Sequence, residues 1–132
     1  MTTADFSPTN ELENELVQLM NGQRTINEFL KLLMRGDVYV LSATEVRQDG
    51  TGLRPLLFDR DLGTLLAVFT SRDRVAAFSH SFPYCLMLSG RQFFGWIPHG
   101  LGVVLNPGST AGFELPPDGV QGIRRDFARQ RT

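Results

Sequence analysis

The chain has 132 residues, 42% of them hydrophobic and 20% charged, and a formal net charge of −1. That is the size of one globular domain, able to bury roughly two thirds of its unfolded surface. The charge balance speaks against a general nucleic-acid partner, which calls for a basic excess. Cys85 is the lone cysteine beside two histidines, which excludes an intrachain disulfide and leaves too few ligands for a structural zinc site.

The opening MTTADFSPTNELENEL has neither a basic n-region nor an apolar h-region, so no secretory signal is expected. No apolar run approaches the ~18 residues of a bilayer span, so a cytoplasmic location with no membrane partner is the expectation. Residues 1–10 read as a flexible tail, 11–127 as one domain and 128–132 as a second tail. Ser7-Pro8 has the composition of a helix start, Ser as cap and Pro at the first helical position. Leu12, Leu16, Leu19 and Met20 follow at i, i+4, i+7 and i+8, one apolar stripe of an amphipathic helix that Asn21-Gly22 ends.

The next helix has the clearest signature in the chain. Thr25 and Glu28 form a T-x-x-E capping box ahead of Phe29, Leu30, Leu32, Leu33 and Met34, with Gly36 as the stop. The short link predicts a helical hairpin. After Gly36 the period changes: Val38 to Leu41 is β-prone and predicts a first strand. Asp49-Gly50-Thr51-Gly52 predicts a hairpin tip, and Leu53 to Phe58 a returning strand that Pro55 confines to an edge.

Leu65 to Phe69 is a nearly unbroken apolar run, the mark of a strand buried on both faces. Thr70-Ser71 with Asp73 predicts a capped helix over 71–80. Tyr84 to Leu88 reads as a largely buried fourth strand. RQFFGWIP reads as a short helix, and Leu101 to Leu105 as a fifth strand halted by Asn106-Pro107-Gly108. Gly112 to Leu115 is a last short strand, before a terminal segment with Ile123 and Phe127 among arginines. The predicted class is α+β: an N-terminal helical hairpin, then a mixed sheet of five to six strands with helices mainly on one face.

Three segments, FLKLLMRGDVYV, GTLLAVFTSRDRV and GLGVVLNPG, carry a resemblance spread from about Leu12 to Ile123. Their pairing of strand-F-T-S-x-D with a later L-N-P-G resembles the SseB-like N-terminal domains of bacteria. The resemblance implies an α+β fold and no established activity. The family name refers to an enhanced serine sensitivity phenotype, and the domain label also mentions type III secretion. Larger members carry a second domain that is not expected within these 132 residues, and Leu41 stands where many relatives are expected to have proline.

Each candidate site has a structural reading beside the functional one. Asn106 and Gly108 could present N–H groups to a ligand, yet turns select these same residues for their geometry. Thr70, Ser71 and Arg72 lie where a strand meets a helix N-terminus, a common anion site, but no phosphate loop is present and a plain helix cap explains the hydroxyls. Phe94 and Trp96 sit in the most aromatic segment, which suits either an interface anchor or the core. Cys85 amid Tyr84, Leu86 and Met87 reads as a buried, inert thiol. His99 reads as a loop residue that could pair with Asp59 or Asp61, and Arg124, Arg125, Arg129 and Arg131 as a solvated end.

No motif assembles a nucleophile, base and oxyanion donor, so no catalytic residue, metal or cofactor is expected. The leading expectation is a non-catalytic accessory protein that binds another protein or itself through a sheet edge or the aromatic segment. An immunity- or secretion-associated role would be one such case. The alternative is a regulatory domain for an amino acid or other anionic metabolite.

Overall fold

The computed structural model describes residues 6–129. The expected tail residues 1–5 and 130–132, Arg131 among them, lie outside the described residues. Two ten-residue helices open the fold, α1 (Glu11–Met20) and α2 (Ile26–Arg35). The Thr25–Glu28 capping box forms in both directions, and Gly36 closes α2. Ser7-Pro8 does not start α1. Asn10 does, its side chain accepting from the Glu13 N–H at 2.8 Å, because Asn reaches the third orphan donor that Ser7 is too far back to meet. Phe6, within the expected tail, is buried.

Six strands follow: β1 (Asp37–Ser42), β2 (Leu57–Arg60), β3 (Gly63–Val68), β4 (Tyr84–Ser89), β5 (Gly102–Leu105) and β6 (Phe113–Leu115). A helix α3 (Gly90–Trp96) lies between β4 and β5, and α4 (Pro117–Arg129) ends the fold two residues past the expected domain border. One sheet has the order β2-β3-β5-β6, with β3 and β5 parallel and the outer pairs antiparallel. The other is the antiparallel pair β1-β4. Reciprocal hydrogen bonds between Tyr39 and Phe69 join them.

The run from Leu65 to Phe69 is buried on both faces, no residue of it more than 2% exposed. Leu66 and Val68 point into the larger core, and Leu65, Ala67 and Phe69 into the smaller, as the two-residue alternation of a strand requires. All four α-helices bury their apolar faces in the larger core. The smaller one is closed by Val75, Phe78 and Phe82 from the segment after β3. Helices therefore cover one face of the sheet, and the class is α+β.

Three local expectations need correction. Residues 72–75 form one 3₁₀ turn in place of a helix over 71–80, and the Ser71 hydroxyl makes no cap hydrogen bond. The apolar residues of this segment, Val75 and Phe78, stand three apart, a spacing that suits a 3₁₀ turn as well as an α-helix. The strand expected over Leu53–Phe58 is displaced to β2, Leu57–Arg60, and residues 53–56 keep a single bridge between Ser42 and Pro55, since proline brings no N–H to a ladder. Strand β4 is not largely buried: Tyr84 and Met87 are exposed because its outer side has no neighbour strand among the described residues.

Candidate functional site

The loops that leave β3 and β5 on the same side of their parallel pair bring two candidate segments together. Asn106, at the end of β5, has φ 53, the left-handed region that asparagine tolerates better than most residues. Its side-chain oxygen accepts from the Thr70 N–H at 3.0 Å, and its amide donates to Thr70 Oγ1 at 2.8 Å and to the Ala111 carbonyl at 3.2 Å. The Thr70 carbonyl accepts from the Asn10 amide at 2.9 Å, and its hydroxyl donates to Glu13. The polar groups of Thr70 and the Asn106 side chain are thus engaged within the protein.

Glu13 is the centre of this network. It is fully buried, and Arg74 donates to both carboxylate oxygens, at 3.0 and 2.8 Å. Thr9 donates through its N–H at 2.9 Å and its hydroxyl at 3.0 Å. Burial pushes the Glu13 carboxyl up, but the hydrogen bonds from Arg74, Thr70 and Thr9 outweigh it and bring the pKa down to about 2. Arg74 also stacks on the Phe6 ring, 4.0 Å from its centroid. Sequence reasoning missed Glu13. The available signal was its spacing: Glu13, Leu16 and Met20 stand at i, i+3 and i+7, which sets an acid on the apolar stripe.

Beside the network lies a cleft of about 530 Å³, bordered by Asn10, Glu11, Leu12, Arg35, Tyr39 and Thr70 among others. Both charge signs line it. The other sequence candidates scatter. Ser71 is buried, and its hydroxyl has no partner among the described residues. Arg72 is exposed and lies over the Tyr39 ring at 6.0 Å. Gly108 is at the exposed tip of its turn, next to Phe78. Phe94 is in the larger core, edge-on to Phe93, while half-buried Trp96 lies against the 47–52 turn at Gly50.

Cys85 is half-buried, its thiol pushed up by burial with a smaller opposing pull from Arg72. His99 sits against Gln121 and Arg124 rather than Asp59 or Asp61. Arg124 is not a solvated arginine: it donates to the Phe94 and Ile97 carbonyls and ties α4 to the end of α3. Among the described residues no cluster of His, Cys, Asp or Glu could hold a metal, and no helix is long and apolar enough to cross a membrane.

The model of the SseB protein N-terminal domain family matches residues 12–122, most of the chain. The chain belongs to that family. Comparison with curated proteins and with solved structures gave no match. In this SseB domain the FTSRDRV and LNPG segments supply Thr70, Arg74 and Asn106 to one network. The two motifs are far apart in sequence and adjacent in space.

Among the described residues the SseB domain also has an unprotected sheet edge. Strand β2 carries Asp59 and Arg60, and three-residue β6 carries Glu114, the charges that discourage edge-to-edge pairing. Strand β4, YCLMLS, has six residues and no charge. Tyr39 exchanges its backbone hydrogen bonds with Phe69, so those groups point away from β4. In an antiparallel ladder this makes Tyr39–Met87 a non-hydrogen-bonded pair. The N–H and C=O of Met87, and by the same alternation those of Cys85, therefore point outward from the sheet.

Proposed function

We propose that this SseB domain is a non-catalytic binding module that takes another protein chain along the outer edge of β4. The observation that carries this reading is the contrast between edges: β2 and β6 bear charges, whereas β4 offers outward backbone groups flanked by exposed Tyr84 and Met87. Strand addition draws affinity from main-chain hydrogen bonds and specificity from alternate side chains, and β4 has both to offer. The test uses wild type and Met87→Lys as paired baits, with gel filtration and light scattering on each. A lysine on an edge opposes strand addition. The bound chain, whether a second copy or another protein, is expected to be lost from Met87→Lys. Equal binding by both baits refutes the reading.

The cleft beside Thr70 favours a second reading, a site for an anionic metabolite whose carboxylate meets Arg35. A ligand at 100 times its Kd stabilises a protein by about 2.7 kcal/mol. Thermal shift against amino acids and nucleotides, repeated on Arg35→Ala, tests it: an Arg35-dependent shift supports the cleft, and no shift with any compound removes it.

A further inference from the structure

The free edge of β4 is closed at both ends. Pro83 has no N–H to give. The Ser89 N–H is taken by Gln92 Oε1 at 3.0 Å, in the capping box that starts α3. Between these stops only Cys85 and Met87 present both outward groups, and they stand symmetrically about Leu86.

That symmetry selects an occupant. We infer that the chain added to β4 is β4 of a second copy, antiparallel and centred on Leu86, an inference that rests on the edge reading above. In this register Cys85 faces Met87 of the other copy, Met87 faces its Cys85, and all four outward groups pair. Leu86 meets its own counterpart, and exposed Tyr84 comes opposite Leu88. Centring on Met87 instead would set Cys85 against Ser89, whose N–H is already used, and leave the Cys85 carbonyl unpaired. Self-pairing also needs charge compatibility, because like charges directly opposite one another destabilise a sheet. YCLMLS has none to oppose. A two-fold axis at Leu86 gives a closed, isologous contact, so assembly stops at two copies. The β1-β4 pair of each copy becomes half of one four-stranded antiparallel sheet.

The register makes a covalent prediction. A non-hydrogen-bonded antiparallel pair has Cα atoms ~4.5 Å apart, inside the ~4.4–6.8 Å span of a disulfide. Leu86 and its counterpart form such a pair. Native Cys85 and its counterpart are offset by two residues, roughly 7 Å along the strand before the lateral gap is added, which is out of range. The experiment compares wild type, Cys85→Ala/Leu86→Cys and Cys85→Ala/Tyr84→Cys under mild oxidation, with light scattering on reduced wild type up to about 1 mM. Expected are a wild-type mass of twice 14.7 kDa and a linked dimer from the Leu86→Cys variant alone. If that variant does not fold by circular dichroism, the wild-type mass and its fall to monomer in Met87→Lys decide the matter. A wild type that is monomeric throughout, or linkage through position 84 as fast as through 86, overturns the inference. A monomer that still loses another bound protein on Met87→Lys overturns self-pairing while the edge reading stands; insensitivity to Met87→Lys removes both.

Discussion

Glu13→Gln separates the electrostatic role of the buried carboxylate from its shape. The amide is nearly isosteric with the carboxyl but cannot balance the Arg74 charge. Glu13 titrates at about 2 in the folded protein against an ordinary 4.5, a difference of about 3 kcal/mol of stability at neutral pH. Because the folded value is the lower one, this stability is fully present above pH ~4.5 and is lost as pH falls towards 2. Glu13→Gln is therefore expected to be about 3 kcal/mol less stable at pH 7, within the range for breaking a buried ion pair. The gap should narrow steadily below pH 4.5, since a protonated Glu13 resembles the amide. Urea unfolding followed by circular dichroism from pH 2.5 to 7 reads this directly, with stability from linear extrapolation. A gap that is flat across that range, or below about 1 kcal/mol at pH 7, refutes the reasoning.

Three further predictions concern packing and the thiol. A Cβ at Gly90 would lie 1.9 Å from the Leu33 carbonyl oxygen, so Gly90→Ala must force α3 off α2, at a cost of about 3 kcal/mol in urea unfolding; a loss under 0.5 kcal/mol would refute the close approach. Asn106→Ala removes three side-chain hydrogen bonds and leaves a Cβ residue at φ 53, whereas Asn106→Gly removes the same bonds without the backbone conflict, so Gly should be the milder change by about 1 kcal/mol and the reverse order would count against the account. Burial raises the Cys85 pKa, so a disulfide reagent should label it more slowly than a free cysteine at pH 8, with denaturant restoring the normal rate; equal rates in both states would contradict this.

What the sequence made legible was local chemistry. The Thr25–Glu28 box, the Leu65–Phe69 run and the turn at Asn106 each declare themselves within a few residues, and each stands where the pattern placed it. Pairing at a distance was not legible. Nothing around Val38–Leu41 says that its partner is 84–89 rather than the nearer 53–58, because both stretches are β-prone and only Pro55 hints against the latter. The 71–80 segment misled because one burial spacing serves two helix types. Thr70 and Asn106 were singled out for their positions at strand ends, but that they touch follows from β3 and β5 lying parallel. Glu13 stands between Glu11 and Glu15 near a helix start, where acids are common, and only its place on the apolar stripe marked it as the buried one.

The network around Glu13 fixes where this protein can be cut. Family resemblance runs from residue 12 to residue 122, yet Phe6, Ser7, Thr9 and Asn10 all hold Arg74, Glu13 or Thr70 from outside that span. At the other end Arg124 fastens the close of α3 from two residues beyond it. A fragment trimmed to the family borders would strip the outer half of a clasp and strand a charged arginine against an aromatic gap. The fold needs the chain at least from Phe6 onward, six residues ahead of the family border.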